Sequence, residues 1–166
     1  MDRRRLAILL VLAFVLLAGA PMKALAQEGQ APPHILVGPA ELKWGPPPPV
    51  FEKGATFTVL SGDPGQAGIF VVRLKMPAGY KIAPHWHPTD EHVTVLSGTF
   101  ALGMGDTFEK ASMKALPAGG YALLPAEMRH YALAKTEVTV QVYGMGPFVL
   151  TYVNPSDDPS KRAPGN

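Results

Sequence analysis

The sequence predicts an all-β domain, a sandwich or closed barrel of seven or more strands. Three observations carry that expectation. Residues 51–153 break into short apolar runs rich in valine, threonine and aromatics: TFTVL, GIFVVRLKM, HVTVLSGTFALGM, GYALLP, HYALA, EVTVQVYGM and FVLTYV. Glycine and proline, 17 and 18 of 166 residues, separate these runs and supply turn chemistry. Interleaved helices have no room, since only residues 108–116 can hold a short one.

Taken in chain order, residues 1–26 read as a secretory signal peptide. Arg3, Arg4 and Arg5 form a basic start, an apolar run follows from Leu6 to Ala20, and Ala24, Leu25 and Ala26 form a small-residue cleavage site before Gln27. The apolar run is shorter than the ~20 residues of a bilayer span, which disfavours an uncleaved anchor. Arg3 and Arg4 can also be read as a twin-arginine address. The expected location is therefore periplasmic or secreted, with no stable membrane anchor after cleavage. Removing the signal takes away four basic residues and one acid, so the formal charge moves from +2 to −1. The sequence pI of 8.9 belongs to the precursor. No basic surface remains to argue for a nucleic-acid partner.

Residues 27–50 are proline-rich and end in WGPPPPV, a run that favours extended polyproline II and cannot donate ladder hydrogen bonds. We expect an arm packed along the domain edge, with Trp44 as its anchor. Residues 51–153 form the barrel domain. Residues 154–166, NPSDDPSKRAPGN, are polar and broken by proline, and are expected to be a flexible tail. Cysteine is absent, so no disulfide staples the fold and any metal site must use nitrogen and oxygen.

The stretch HWHPTDEH, residues 85–92, holds three of the five histidines. On a strand, His85 and His87 share one face and Trp86 takes the other. Pro88, Thr89 and Asp90 make a turn, and Glu91 starts the next strand, where a hairpin return brings its carboxylate alongside the pair. His130, in PAEMRH, is the available third imidazole. Such a set suits one divalent transition metal, iron, manganese, nickel, copper or zinc, and lacks the oxygens calcium wants. Read singly, paired histidines often only hydrogen-bond at a surface, and a lone Glu91 is usually solvated.

These residues resemble the cupin family. Its first motif is filled by Gly79, YKIAP, His85, Trp86, His87, PTD, Glu91, HVTVLS and Gly98. Its second is found as Gly119, GYALL, Pro125, Ala126, Glu127, MR, His130, YAL and Ala134, with Glu127 replacing a glycine and Ala134 an asparagine. The resemblance implies a cupin-type jelly-roll barrel with His85, His87, Glu91 and His130 inward on one metal. The turn glycine often holds positive φ, so Glu127 puts the standard shape of that turn in doubt.

Other polar residues have simpler readings. His92 has the opposite parity to Glu91 and points away from the site. His34 lies in the arm and is solvated. Asp90 stabilises its turn through its own backbone. Glu127 is an exposed turn residue, and Met104, Met128 and Met145 fill gaps in a β core. Tyr80, Phe100, Tyr121 and Tyr131 can line an apolar pocket, although counting from His130 sends Tyr131 outward.

The expected function is that of a metal-dependent enzyme on a small-molecule substrate. The resemblance suggests a dioxygenase-type reaction in which Glu91 is a ligand or, off the metal, the catalytic base. With zinc, lyase or isomerase work becomes the better expectation. The alternative from another class is a barrel that binds a metal or small ligand without turnover. A homodimer is expected from the edges such a barrel leaves uncovered.

Overall fold

The computed structural model describes residues 34–162. The expected signal peptide, the first part of the arm and residues 163–166 lie outside them. Among the described residues there are ten strands: β1 (Thr56–Ser61), β2 (Gly68–Met76), β3 (Lys81–Trp86), β4 (Glu91–Ser97), β5 (Thr99–Met104), β6 (Lys114–Pro117), β7 (Tyr121–Leu124), β8 (His130–Ala134), β9 (Val138–Gly146) and β10 (Thr151–Tyr152). They form two five-stranded sheets, in the orders β1-β2-β9-β4-β7 and β10-β3-β8-β5-β6. The described strand pairings are antiparallel. This is the all-β jelly roll that the sequence predicts.

Period-two alternation builds the interior. Phe70, Val72, Leu74 and Met76 of β2 point inward and lie opposite Gly144, Val142, Val140 and Val138 of β9. Val93 and Val95 extend that face on β4, while Phe100, Leu102, Ala132 and Ala134 supply the facing sheet. Each fully buried side chain of this kind contributes about 1.5–3 kcal/mol of transfer free energy. Between β4 and β5 the chain turns on Gly98 alone, at φ 74°, where a Cβ would lie 2.0 Å from the Glu137 carbonyl oxygen. Only glycine fits there.

β3 is absent from the apolar runs because Pro84 interrupts its text. The strand accommodates Pro84 in an irregularity of the β3–β8 register between Ile82 and His85, where the missing N–H is tolerated. The one stretch with room for a short helix, residues 108–116, forms one 3-10 turn, Lys110–Ser112, and then β6. Glu109 caps that turn by accepting from the Ala111 N–H at 3.2 Å. Residues 114–117 pair with β5 instead of continuing the turn.

The segment before β1 meets that edge strand at Gly45, which exchanges two backbone hydrogen bonds of 2.9 Å with Phe57. Lys75 Nζ sits 5.2 Å from the Trp44 ring centroid. Two tyrosines of the barrel hold the junction between arm and β1: Tyr152 Oη donates to the Val50 carbonyl at 2.9 Å and Tyr80 Oη to that of Glu52 at 2.7 Å.

Within the stretch expected to be a flexible tail, the described residues 154–162 take up regular turns. Two 3-10 turns, Pro155–Asp157 and Pro159–Lys161, follow one another. Asn154 and Asp158 cap them through the N–H groups of Ser156 and Ser160, at 3.2 and 3.0 Å. Arg162 then donates to Glu52 at 2.6 Å. The repeated Asx-Pro-Ser in NPSDDPS is a cap followed by proline in the first turn, and a composition-based reading of the tail misses it.

Candidate metal centre

His85 lies on β3 and stands opposite His130, the first residue of β8. His87 follows the end of β3, and Glu91 opens β4 opposite Gly144 of β9. The ends of three strands, β3, β4 and β8, thus deliver the four predicted residues to one end of the barrel. The three imidazoles are buried and offer nitrogens that lie within 4.8 Å of one another. Ring centroids are 4.2 Å apart for His85 and His130, 5.1 Å for His85 and His87, and 5.4 Å for His87 and His130. Glu91 Oε2 is 3.2 Å from His130 Nε2 and 3.7 Å from His87 Nε2.

The hydrogen bonds set the chemistry of these rings. Nδ1 of His85 donates to the Ala83 carbonyl at 2.7 Å, Nδ1 of His130 to that of Met128 at 2.8 Å, and Nδ1 of His87 to that of Val149 at 2.9 Å. A carbonyl oxygen only accepts, so each Nδ1 carries the hydrogen and each neutral ring presents a bare lone pair at Nε2. Nε2 of His87 and of His130 is buried without a hydrogen-bond partner. Lone pairs this close to a carboxylate repel unless a proton or a cation lies between them. Histidines tied at Nδ1 to a carbonyl are oriented as metal ligands are, and neutral imidazoles with one carboxylate form a nitrogen and oxygen donor set for a divalent transition metal. The residues present therefore fit the metal that the sequence implies.

Electrostatics agree. Burial pushes His85 down to about 3, with His130 and His87 adding to the shift against the opposing pull of Glu91. Burial also lowers His87, again opposed by Glu91. Burial would raise Glu91, but contact with His130 and the proximity of His87 outweigh it and hold the carboxyl below its ordinary value.

Backbone contacts fasten the two motifs to each other. The Glu127 N–H donates to the His87 carbonyl at 2.7 Å. Glu127 takes φ 64°, the only positive value among the described non-glycine residues. The turn thus holds the left-handed conformation that glycine favours, with Glu127 in the place whose shape the sequence puts in doubt. Asp90 also differs from expectation: Oδ1 accepts from the Ala126 N–H at 2.8 Å, bridging to the second turn instead of serving its own. Ala134, in place of asparagine, is fully buried in the core, where an amide would need partners.

His92 does point away from the site, stacking on Tyr143 at 4.5 Å and lying 2.8 Å from Tyr121 Oη through Nδ1. Tyr131 also points away but is buried, because Gly103 opens space for its ring and Phe108 covers it at 5.1 Å. Phe100 faces the interior, Tyr121 is exposed, and Tyr80 is buried.

Sequence reasoning missed Phe148, which stacks on the His87 ring at 4.0 Å and 17°. With the Val149 carbonyl it fixes that imidazole from a segment 61 residues away. Only the apolar run FVLTYV hinted at it, as a strand. Beside the centre lies a cavity of about 150 Å³.

The ChrR cupin-like domain model matches residues 32–148. No curated protein matches the chain. Among solved structures, the polyketide cyclase RemF from Streptomyces resistomycificus aligns at TM-score 0.63 and 18% identity, over 77% of this chain and 91% of that one. An acetylacetone dioxygenase from Acinetobacter johnsonii aligns at 0.58 and 17%, over 80% and 85%. KdgF from a Halomonas species aligns at 0.53 and 17%, over 69% and 94%. Likeness at such identity speaks to fold. Together with the family match over most of the chain, it makes this protein a member of the ChrR cupin-like domain family, with a three-histidine group suited to a metal ion.

Proposed function

We propose that this chain is a metal-dependent cupin enzyme acting on a small molecule, with an oxygenase-type reaction. His85, His87, Glu91 and His130 hold one iron, manganese, nickel, copper or zinc ion. The observation that carries the reading is the convergence of bare, buried Nε2 atoms and one carboxylate beside an apolar cavity. When bound, such an ion supplies a Lewis acid and, if redox-active, electrons for oxygen chemistry. The chain itself orients the three imidazoles through backbone carbonyls and excludes water with its apolar wall. Glu91 is the group able to take a proton from an enol or catechol-like substrate.

Both redox and non-redox activities occur among the fold neighbours, since one is described as a dioxygenase and another as a cyclase. The metal decides between them here, because zinc supports only lyase, isomerase or similar work. The proposal places the protein outside the cytoplasm, as a homodimer. Elemental analysis of untagged protein purified from the exported fraction tests it, followed by oxygen uptake. One equivalent of a redox-active metal with substrate-dependent uptake is expected. Protein that purifies and reconstitutes without metal refutes the reading.

A further inference from the structure

Most of the wall of the cavity beside the three histidines comes from strands held in β ladders, but Pro48, Val50 and Phe51 line it from the segment that precedes β1. Among the described residues, none from Pro46 to Ala55 belongs to a strand. Pro46, Pro47, Pro48 and Pro49 carry no N–H, so this strap cannot be sewn to a sheet edge as a strand is. β1 and β10 are edge strands of the two sheets. Gly45 is bonded to Phe57 of β1 and the Val50 carbonyl to Tyr152 of β10, so the strap lies across the seam between those edges.

Its described ties are few. They are the Gly45–Phe57 pair, the Tyr152 hydroxyl on the Val50 carbonyl, the Tyr80 hydroxyl on the Glu52 carbonyl, and an exposed ion pair between Glu52 and Arg162. Val50 and Phe51 complete the closure by packing against the core. The segment that joins β9 to β10 also lines the cavity, through Phe148 and Leu150, but it is fastened through the site itself. There the Phe148 N–H donates to the Pro64 carbonyl at 2.7 Å, and the Val149 carbonyl accepts from His87, so moving that segment would disturb a ligand. The strap touches none of the site's hydrogen bonds. At its far end Gly54, with φ 107° and open space about it, supplies a point of rotation.

We propose that this strap is the entrance to the cavity: it swings about Gly54, parting the Gly45–Phe57 pair and the two tyrosine contacts, and a ligand passes through the seam between β1 and β10. The inference rests on the reading that the cavity takes a small molecule, and not on which metal is held. The ties then govern how fast a ligand enters and leaves, while the cavity wall governs how tightly it is held.

Fluorobenzene is the probe, because an apolar cavity of about 150 Å³ admits a benzene-sized guest. Fluorine NMR exchange on the full mature chain, with one equivalent of zinc added, gives its entry rate, exit rate and Kd. Tyr152→Phe and Tyr80→Phe should each raise both rates together by about two- to tenfold, the usual effect of one hydrogen bond, with Kd unchanged. A merely loosened cavity would change Kd instead. Gly45→Cys combined with Phe57→Cys locks the strap in a chain that has no other cysteine. Residues that exchange both hydrogen bonds have Cα atoms ~5.5 Å apart, within the ~4.4–6.8 Å of a disulfide, and a Cβ at position 45 meets nothing within 4 Å. Oxidation should slow both rates roughly tenfold or more, since the pair can no longer part, and reduction should restore them. Comparing the two states of one variant cancels the effect of removing the Phe57 ring. A probe that binds with rates unmoved by the tyrosine changes, or equal in the oxidised and reduced double variant, overturns the entrance and leaves the small-molecule reading of the cavity standing. Wild-type protein that binds no probe overturns both.

Discussion

Glu127 offers the cleanest test of the backbone that carries the site. Its φ of 64° is left-handed, and its side chain is exposed, so replacing it removes no packing. A residue with a Cβ in that region carries about 1–2 kcal/mol of strain. Glycine relieves this but adds about 0.5–1 kcal/mol of chain entropy in the unfolded state. Glu127→Gly should therefore raise stability by about 0.5–1 kcal/mol. With a urea slope of about 1–3 kcal/mol per molar, the unfolding midpoint moves up by several tenths molar. Glu127→Ala keeps the strain and should leave the midpoint where it is. Glu127→Pro both forbids the positive φ and removes the N–H that holds the His87 carbonyl at 2.7 Å, so it should lower stability and metal affinity together. Equilibrium urea unfolding of the metal-free proteins reads all three. Equal losses in the alanine and glycine variants would mean that the Glu127 carboxylate has a partner, and the strain argument would fail.

His130→Ala should abolish stoichiometric metal binding, as measured by elemental analysis after loading and desalting; one retained equivalent would remove His130 from the ligand set. For pH, His85, His87 and Glu91 all fold with lowered pKa values, so the native state binds fewer protons than the unfolded chain. The stability of metal-free protein is then complete above the unfolded histidine value of about 6.5 and falls as pH drops from there towards about 3, the native value of His85, which alone contributes about 1.4 kcal/mol per pH unit. A urea midpoint that stays flat between pH 7 and 5 would show the imidazoles to be charged in the fold. On the outer face of the first sheet, Ile69, Leu96, Tyr121, Leu123 and Met145 are exposed. Five strands about 4.8 Å apart and some seven residues long span roughly 550 Å² before side-chain relief, the order of the ~800 Å² per partner of a standard interface. A second copy is the expected occupant, and Ile69→Lys with Leu123→Lys should convert dimer to monomer in sedimentation equilibrium. A wild-type chain that is monomeric at micromolar concentration contradicts this.

The strands legible in the sequence were those whose apolar alternation is uninterrupted, as in GIFVVRLKM and EVTVQVYGM, which became β2 and β9. The two that were not lie where local text misleads. Pro84 sits inside β3 because the register with β8 shifts around it, and such an accommodation depends on the partner strand. Residues 114–117 have too short a pattern to outweigh a helix, and pairing with β5 decides them. The inward parity of His85 with His87 and the outward parity of His92 followed from period two alone. The burial of Tyr131 did not, because it depends on Gly103 and Phe108 arriving from elsewhere.

Asp90, Glu127 and Phe148 share a reason for having been misread or missed. Each acts across the gap between motifs. Asp90 holds the turn that contains Ala126, Glu127 holds the carbonyl of His87, and Phe148 covers the His87 ring. The ligand letters are set by spacing within a motif, and so a sequence displays them. Their aim is set by hydrogen bonds between a turn at residues 87–90 and a turn at residues 125–128, and by the segment that joins β9 to β10. This division explains how the second motif could exchange its glycine and asparagine for Glu127 and Ala134. What the site uses at 127 is a backbone N–H at positive φ, and what the buried core takes at 134 is a small side chain with no hydrogen-bonding group to satisfy. Both requirements are met by the shape of the chain at those positions and not by the chemistry of the residues they replaced.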